Sequence, residues 1–228
     1  AMTAHLLTRS GLDPTVVYGA ALLGKRSGGR AGQGSLLVVE ACEYRENFLH
    51  LHPQQAAILG IEPDHFDCFD SLDHVEAAFR RFAAALPTDG WLLARRDCPS
   101  TRRVLSGASC RVETFGLSSD ADWSAHRLVD RDGFFQFDIL RFGQRLGTVQ
   151  LSVPGEFNVL NALAAAALAS HNGVPGDTLA EGLGHFPGLH RRLEVLGTWR
   201  NATWIDDYAH HPTEISESLK AVRRMFPR

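Results

Sequence analysis

A chain of 228 residues with 44% hydrophobic and 21% charged side chains has the composition of a folded protein, which excludes a disordered tail, a collagen-like rod and a disulfide-dense scaffold. A formal charge of −3 and a pI near 6.4 exclude the basic field of a nucleic-acid binder. The longest nearly apolar run, residues 160–169, is about half the roughly 20 residues of a membrane-spanning helix, so no membrane partner is expected.

Met2, Leu6 and Leu7 recur at helical spacing, and Ser10-Gly11 closes that helix. Short apolar pieces follow at 15–18 and 20–23, then a loop rich in Gly, Ser and Arg over 24–34. An α/β rhythm begins at Ser35. Residues 35–40 read as a buried parallel strand ending on Glu40, and residues 56–61 as a second, ending in Glu62-Pro63-Asp64-His65. Residues 73–86 place Val75, Phe79, Phe82 and Leu86 on one helical face, and residues 91–94 read as a third strand. From 109 to 153 the period falls to two, predicting an antiparallel meander over 123–129, 134–140 and 146–153, with a turn at 130–133. Helices are predicted at 158–170 and 178–183, strands at 193–197 and 203–206, and a last helix at 212–226 with Pro212 in its first turn. A domain boundary is expected near 192–197. Cys42, Cys68, Cys98 and Cys110 form no C-x-x-C pair, and no signal-peptide pattern is present, so the cytoplasm is the expected location.

Four groups of residues carry chemistry, and a fifth only resembles one that would. Gly19 to Arg26 has the spacing of a phosphate-binding loop, but Arg26 lacks the hydroxyl that binds magnesium, so the segment reads as a surface loop. Glu40 and the 62–65 segment end two strands taken as adjacent, where open parallel sheets bind ligands; they suit a magnesium ion or simple capping and hydrogen-bonding roles. Asn158 and Asn161 stand three apart at a helix start, as a cap or as an amide pair facing an adenine edge. Arg191-Arg192 is a solvated pair or a grip on phosphate or ribose. Residues 206–211 hold two Asp, a Tyr and two His, more than a turn needs; a transition-metal site is the rival reading there.

Together these strings resemble the Mur ligase family: Val38-Val-Glu-Ala-Cys-Glu-Tyr44, Ile61-Glu-Pro-Asp-His-Phe-Asp67, Gly155-Glu-Phe-Asn-Val-Leu-Asn-Ala-Leu163, Gly188-Leu-His-Arg-Arg-Leu-Glu194 and Asp206-Asp-Tyr-Ala-His-His-Pro-Thr-Glu214. Their order agrees with the family along almost the whole chain. The resemblance implies an α/β fold, with a mostly parallel sheet flanked by helices, a small antiparallel meander and one further strand-helix unit. It implies that residues 1–194 are a central ATP-binding domain without its P-loop, and that 195–228 begin a C-terminal domain.

The implied activity is ATP-dependent amide formation between the lactoyl carboxylate of UDP-N-acetylmuramate and L-alanine in peptidoglycan precursor synthesis, through an acyl phosphate. The implied cofactors are ATP and Mg2+. Residue by residue, Glu40 and His65 match magnesium ligands, Asn158 and Asn161 the adenine side, and Arg192 and Asp207 the nucleotide phosphate or ribose. Tyr208 and His210 match the region that meets the incoming amino acid. Two departures stand out. Phe157 occupies a position often held by His, and neither Lys25 nor Lys220 is placed to serve as the carbamoylated lysine that bridges metal ions in many relatives.

Without a P-loop, the chain alone is expected not to turn over. The alternatives are a recycling ligase that attaches a whole tripeptide to the same sugar nucleotide, a non-catalytic relic or binding module, and a zinc hydrolase built on His210 and His211. An uncovered apolar face could also drive homodimer formation.

Overall fold

The structure is a computed structural model and describes residues 1–227. Its first helix, α1 (Met2–Arg9), buries Met2, Ala4, Leu6 and Leu7, the face its periodicity marks. That face packs on α4 (Phe157–His171) and α5 (Gly176–Gly184). The middle of α4 is nearly all alanine and is buried from Ala162 to Ala167, so its neighbours approach closely. Gly182 of α5 suits this approach, since a Cβ there would lie 2.6 Å from Leu6 Cδ2 and that side chain would have to shift.

A three-stranded sheet has the order β2-β1-β3, formed by β1 (Thr15–Val17), β2 (Gly29–Arg30) and β3 (Leu37–Val39). Strands β1 and β3 run parallel with Val16 opposite Val38, and β2 is antiparallel. A six-stranded sheet follows chain order: β4 (Gln55–Ile58), β5 (Trp91–Arg95), β6 (Arg111–Gly116), β7 (Trp123–Arg131), β8 (Phe134–Arg141) and β9 (Gln144–Gln150). Strands β4 to β7 are parallel neighbours. Two-residue turns join β7 to β8 and β8 to β9. Asp132-Gly133 (φ 54° and 85°) and Phe142-Gly143 (φ 49° and 76°) both place two successive residues in the left-handed region, whose twist matches a hairpin. Strands β10 (Glu194–Trp199) and β11 (Ala202–Asp206) form a separate antiparallel hairpin over Arg200-Asn201. The remaining helices are α2 (Leu72–Ala84), α3 (Pro99–Val104) and α6 (Pro212–Met225).

Residues 109–116 share the period of two that marks the expected meander, yet β6 pairs parallel to β5 over five residues. Alternation in Arg111–Gly116 reports only which side chains are buried, not the direction of the neighbour. Two expectations need correction, where β4 ends and which strand lies beside it. Strand β4 ends at Ile58, so Glu62 to His65 belong to the following loop. Strands β3 and β4, taken as adjacent, lie in separately hydrogen-bonded sheets. The apolar piece at 20–23 carries Leu22, which makes an isolated bridge to Leu189.

The chain divides into two units, one comprising Ala1–Glu40, Arg127–Asp138 and Leu146–Arg228, the other Ala41–His126 and Ile139–Arg145. The first has its core where Leu6 and Leu7 meet Leu163, Leu179 and Leu183, all at most 1% exposed. The second is centred on α2, whose Val75, Ala78 and Phe82 pack with Phe48, Ile58, Leu92 and Val104. Phe48 stacks on Phe82 with centroids 4.9 Å apart. Ser71 caps α2 by accepting the His74 N–H at 3.2 Å. Among the described residues no helix is long and apolar enough to cross a membrane.

Candidate functional site

In the second unit the loop after β4 turns sharply at His65, which has φ 53°. Its carbonyl accepts the N–H groups of Cys68 at 2.7 Å and Phe69 at 3.0 Å, and its own N–H donates to Asp64 Oδ1 at 2.7 Å. This turn aims the imidazole at carboxylates: His65 Nε2 lies 3.4 Å from Glu43 Oε1 and 3.8 Å from Asp64 Oδ2. One donor atom from each of Glu43, Asp64 and His65 falls within 4.8 Å of the others, and all three side chains are half-buried. Two carboxylates and an imidazole suit a divalent ion such as Mg2+ or Mn2+, with water completing the shell. Glu43, Glu62 and Asp64 also line a small cavity with Phe69, Val75 and Phe79.

Beside this cluster, Tyr44 Oη donates to Asp67 Oδ2 at 3.0 Å. That bond holds the Asp67 carboxyl below its ordinary range and pushes the Tyr44 phenol up. The Tyr44 ring meets His65 edge-on, centroids 5.2 Å apart.

The metal-binding expectation named Glu40 and His65; the donor atoms that the structure groups are those of Glu43, Asp64 and His65. Glu40 lies in the first unit, at the C-terminal end of β3, and its Oε2 accepts the Gly19 N–H at 3.0 Å. Glu43 was not selected from the sequence, and Asp64 was selected only as part of the 62–65 segment, not as a named ligand. Their signal was available, since one sits three residues after Glu40 and the other next to His65, but nothing local says which carboxylates share a point in space.

Two further groups of expected residues lie in the first unit. At the start of α4, Asn158 Nδ2 donates to the Pro154 carbonyl at 2.7 Å and Asn161 Nδ2 to Asn158 Oδ1 at 3.1 Å. The two amides are thus chained together, and each has further hydrogen-bonding capacity for a ligand edge. Gly155 before them has φ 96°, and a Cβ there would meet Phe157 Cε1 at 2.4 Å, so the Phe157 ring lies across the glycine.

The other group joins the start of β10 to the segment after β11. The Arg191 and Arg192 guanidiniums stand 4.7 and 5.9 Å from the Tyr208 ring centre, and the His210 ring meets Tyr208 edge-on at 5.5 Å. Glu214, in the first turn of α6, ties this group together: it lies 3.9 Å from Arg192 Nη1 and accepts the His210 N–H at 3.3 Å. Asp207 accepts the Ala209 N–H at 3.0 Å and the Ser218 hydroxyl at 2.7 Å, so it shapes the turn and anchors it to α6. Arg192, Tyr208 and His210 therefore share one exposed, cation-rich surface, with Asp207 in the turn beneath it in sequence. Glu214 is the member that sequence reasoning passed over.

Comparison with known families decides the identity. The Mur ligase middle domain matches residues 30–169 and the Mur ligase glutamate ligase domain matches residues 191–228. The chain belongs to the Mur ligase family. It is 37% identical over 219 residues to the UDP-N-acetylmuramate–L-alanine ligase of Caldanaerobacter subterraneus, covering 96% of this chain and 48% of that protein. It is 38% identical over 224 residues to the enzyme of the same name from Acetivibrio thermocellus, covering 97% and 48%. Among Mur ligase structures, the UDP-N-acetylmuramate–alanine ligase of Thermotoga maritima superposes with TM-score 0.83 at 27% identity, over 100% of this chain and 51% of that one. A Neisseria ligase that joins UDP-N-acetylmuramate to L-alanyl-γ-D-glutamyl-meso-diaminopimelate superposes with TM-score 0.74 at 27% identity, over 83% and 62%. The chain spans about half the length of the curated relatives it matches.

Proposed function

We propose that the protein containing this chain is an ATP-dependent ligase that joins L-alanine to the lactoyl carboxylate of UDP-N-acetylmuramate, through an acyl phosphate, in the cytoplasm. One observation carries this reading: identity of 37–38% over nearly the whole chain to two ligases of that name. We assign residues 1–194 to the central ATP-binding domain and 195–228 to the start of the C-terminal domain.

In this reading Glu43, Asp64 and His65 would hold a divalent ion; Glu40, matched to a magnesium ligand by the resemblance alone, belongs to the first unit. When bound, Mg2+ neutralises charge on the phosphates of ATP during phosphoryl transfer. The residues of this chain contribute binding and positioning. Asn158 and Asn161 present amide donors and acceptors to the adenine edge. Arg192, a planar fork of donors, meets phosphate or ribose oxygens. Asp207 holds the turn that presents Tyr208 and His210 to the incoming amino acid. These assignments gain support from the donor set around His65, which suits a hard divalent ion, and from the cation-rich surface around Tyr208.

The test is ADP release by the intact gene product, supplied with UDP-N-acetylmuramate, ATP and Mg2+, with L-alanine and the tripeptide offered separately and in competition. Turnover dependent on L-alanine is expected. Turnover with the tripeptide alone would move the reading to the recycling ligase, and none with either would favour the binding module. His210→Ala and Arg192→Ala are each expected to lower kcat/KM at least 100-fold, the scale of removing one positioned electrostatic group.

A further inference from the structure

Tyr44 is absorbed by no part of the proposed reaction, yet its geometry is specific. It follows Glu43 directly in sequence, and its hydroxyl reaches Asp67, two residues past His65. One side chain therefore bridges the two segments that bring Glu43 and His65 together, segments separated by about twenty residues of chain. Its ring also abuts the imidazole, at 5.2 Å and an interplanar angle of 64°. Behind the ring the Arg45 guanidinium stands 5.3 Å from its centre.

The backbone on either side is held in unusual conformations. His65 has φ 53°, and Arg45 and Glu46 have φ 51° and 58°. Non-glycine residues stay in the left-handed region only where their surroundings over-determine it, and such positions gather at ligand sites. His65 is fixed at the backbone by the bonds from Cys68 and Phe69. Those bonds leave rotation about its side-chain torsions free. The Tyr44 edge stands against the imidazole and restricts its rotation, and Asp67 holds the Tyr44 hydroxyl while Arg45 stands at its ring. Ligating imidazoles depend on such outer partners for their orientation.

We infer that Tyr44, anchored by Asp67, is a positioning residue that holds the His65 imidazole toward Glu43 and Asp64 for a divalent ion. This rests on the metal-binding reading of His65 given above. The brace acts before any ion arrives: with the ring already aimed, less side-chain freedom is lost on binding.

The experiment is Mn2+ binding by the intact gene product, followed by the EPR signal of free Mn2+, with melting temperature measured on every variant. His65→Ala is expected to abolish binding at this site. Tyr44→Phe keeps the ring and removes its anchor; Asp67→Asn weakens the same anchor from the other side. Each is expected to raise the Mn2+ Kd about tenfold, the low end for partners of a ligand, with little change in melting temperature. Tyr44→Ala, which removes the ring as well, is expected to raise Kd further, and if it does not fold the other two variants carry the test. In turnover, Tyr44→Phe is expected to raise the Mg2+ concentration for half-maximal rate while leaving kcat at saturating Mg2+ near that of the parent, a split that general destabilisation would not produce. If His65→Ala loses Mn2+ while Tyr44→Phe and Asp67→Asn bind it as the parent does, the positioning role is overturned and the metal site stands. If His65→Ala binds Mn2+ as the parent does, the metal reading fails and the positioning role falls with it.

Discussion

Glu113, on β6, is 1% exposed and carries three partners. The Trp123 indole N–H donates to Oε2 at 2.8 Å, Arg111 reaches Oε1 at 2.6 Å, and Arg141 stands 3.4 Å away with its guanidinium over the Trp123 ring. Burial alone would raise this carboxyl's pKa; the indole bond and the two guanidiniums outweigh it, and the pKa is lowered. Glu113 therefore stabilises the fold fully above the unfolded carboxylate pKa, near 4.3, and that contribution disappears as pH falls through the lower folded value. Glu113→Ala should cost about 2 kcal/mol at pH 7, because it strands the buried indole N–H. Urea titrations from pH 7 to pH 3 should show the variant losing less stability on acidification than the parent. A variant as acid-sensitive as the parent would remove Glu113 as the cause. No sequence pattern marks Glu113, since Trp123 and Arg141 come from other strands and only Arg111 is local. Arg192, Tyr208 and His210 were legible one by one, because aromatic, imidazole and guanidinium groups near strand ends exceed what a turn needs.

At the scale of elements, the start of α4 turns on Gly155. A side chain there meets two penalties at once, a φ of 96° and the Phe157 ring. Gly155→Ala should lower stability by about 2 kcal/mol or more, as backbone strain and overpacking combine. Asn158 hangs from the Pro154 carbonyl through this turn, so under the proposed function, in which Asn158 meets the adenine edge, the KM for ATP should rise more than kcat falls. Calorimetry and steady-state kinetics on the variant check both parts; an unchanged KM with lowered stability would separate the turn from the proposed adenine contact. The helices α1, α2, α4 and α6 were readable because each repeats an apolar or capping pattern over two turns or more. Helix α3 is six residues long with exposed arginines in its last turn, too short for periodicity to register. The turn at Asp132-Gly133 was readable from its residue types. Phe142-Gly143 was not, since Phe in a left-handed conformation contradicts its ordinary preference.

Across the molecule, Arg224 shows how the end of α6 is secured within the first unit. It stacks over Phe135 at 5.2 Å, pairs with Glu156 at 3.2 Å and approaches Asp130 at 3.4 Å. All three charged side chains are well exposed, so each ion pair contributes little alone, and the stacking about 0.5–1 kcal/mol. Arg224→Ala should therefore lower the melting temperature by only about 2–4 °C, corresponding to about 1 kcal/mol in a chain of this size. Differential scanning fluorimetry at low and high salt checks this; a drop beyond about 8 °C would mean that Arg224 holds more than its contacts indicate.

The sequence alone determined the family, because five motifs recur in order along one line, and it determined most helices and strands, because amphipathic periodicity is a local property. Tertiary structure decided that β6 joins the parallel part of its sheet and that β3 and β4 lie in different sheets. It also decided that His65 faces Glu43 and Asp64. Backbone hydrogen bonds are alike at every residue, so a strand's pattern shows which side is buried and says nothing of its partner. Carboxylates likewise look the same along the chain until a turn such as the one at His65 brings two of them to one point.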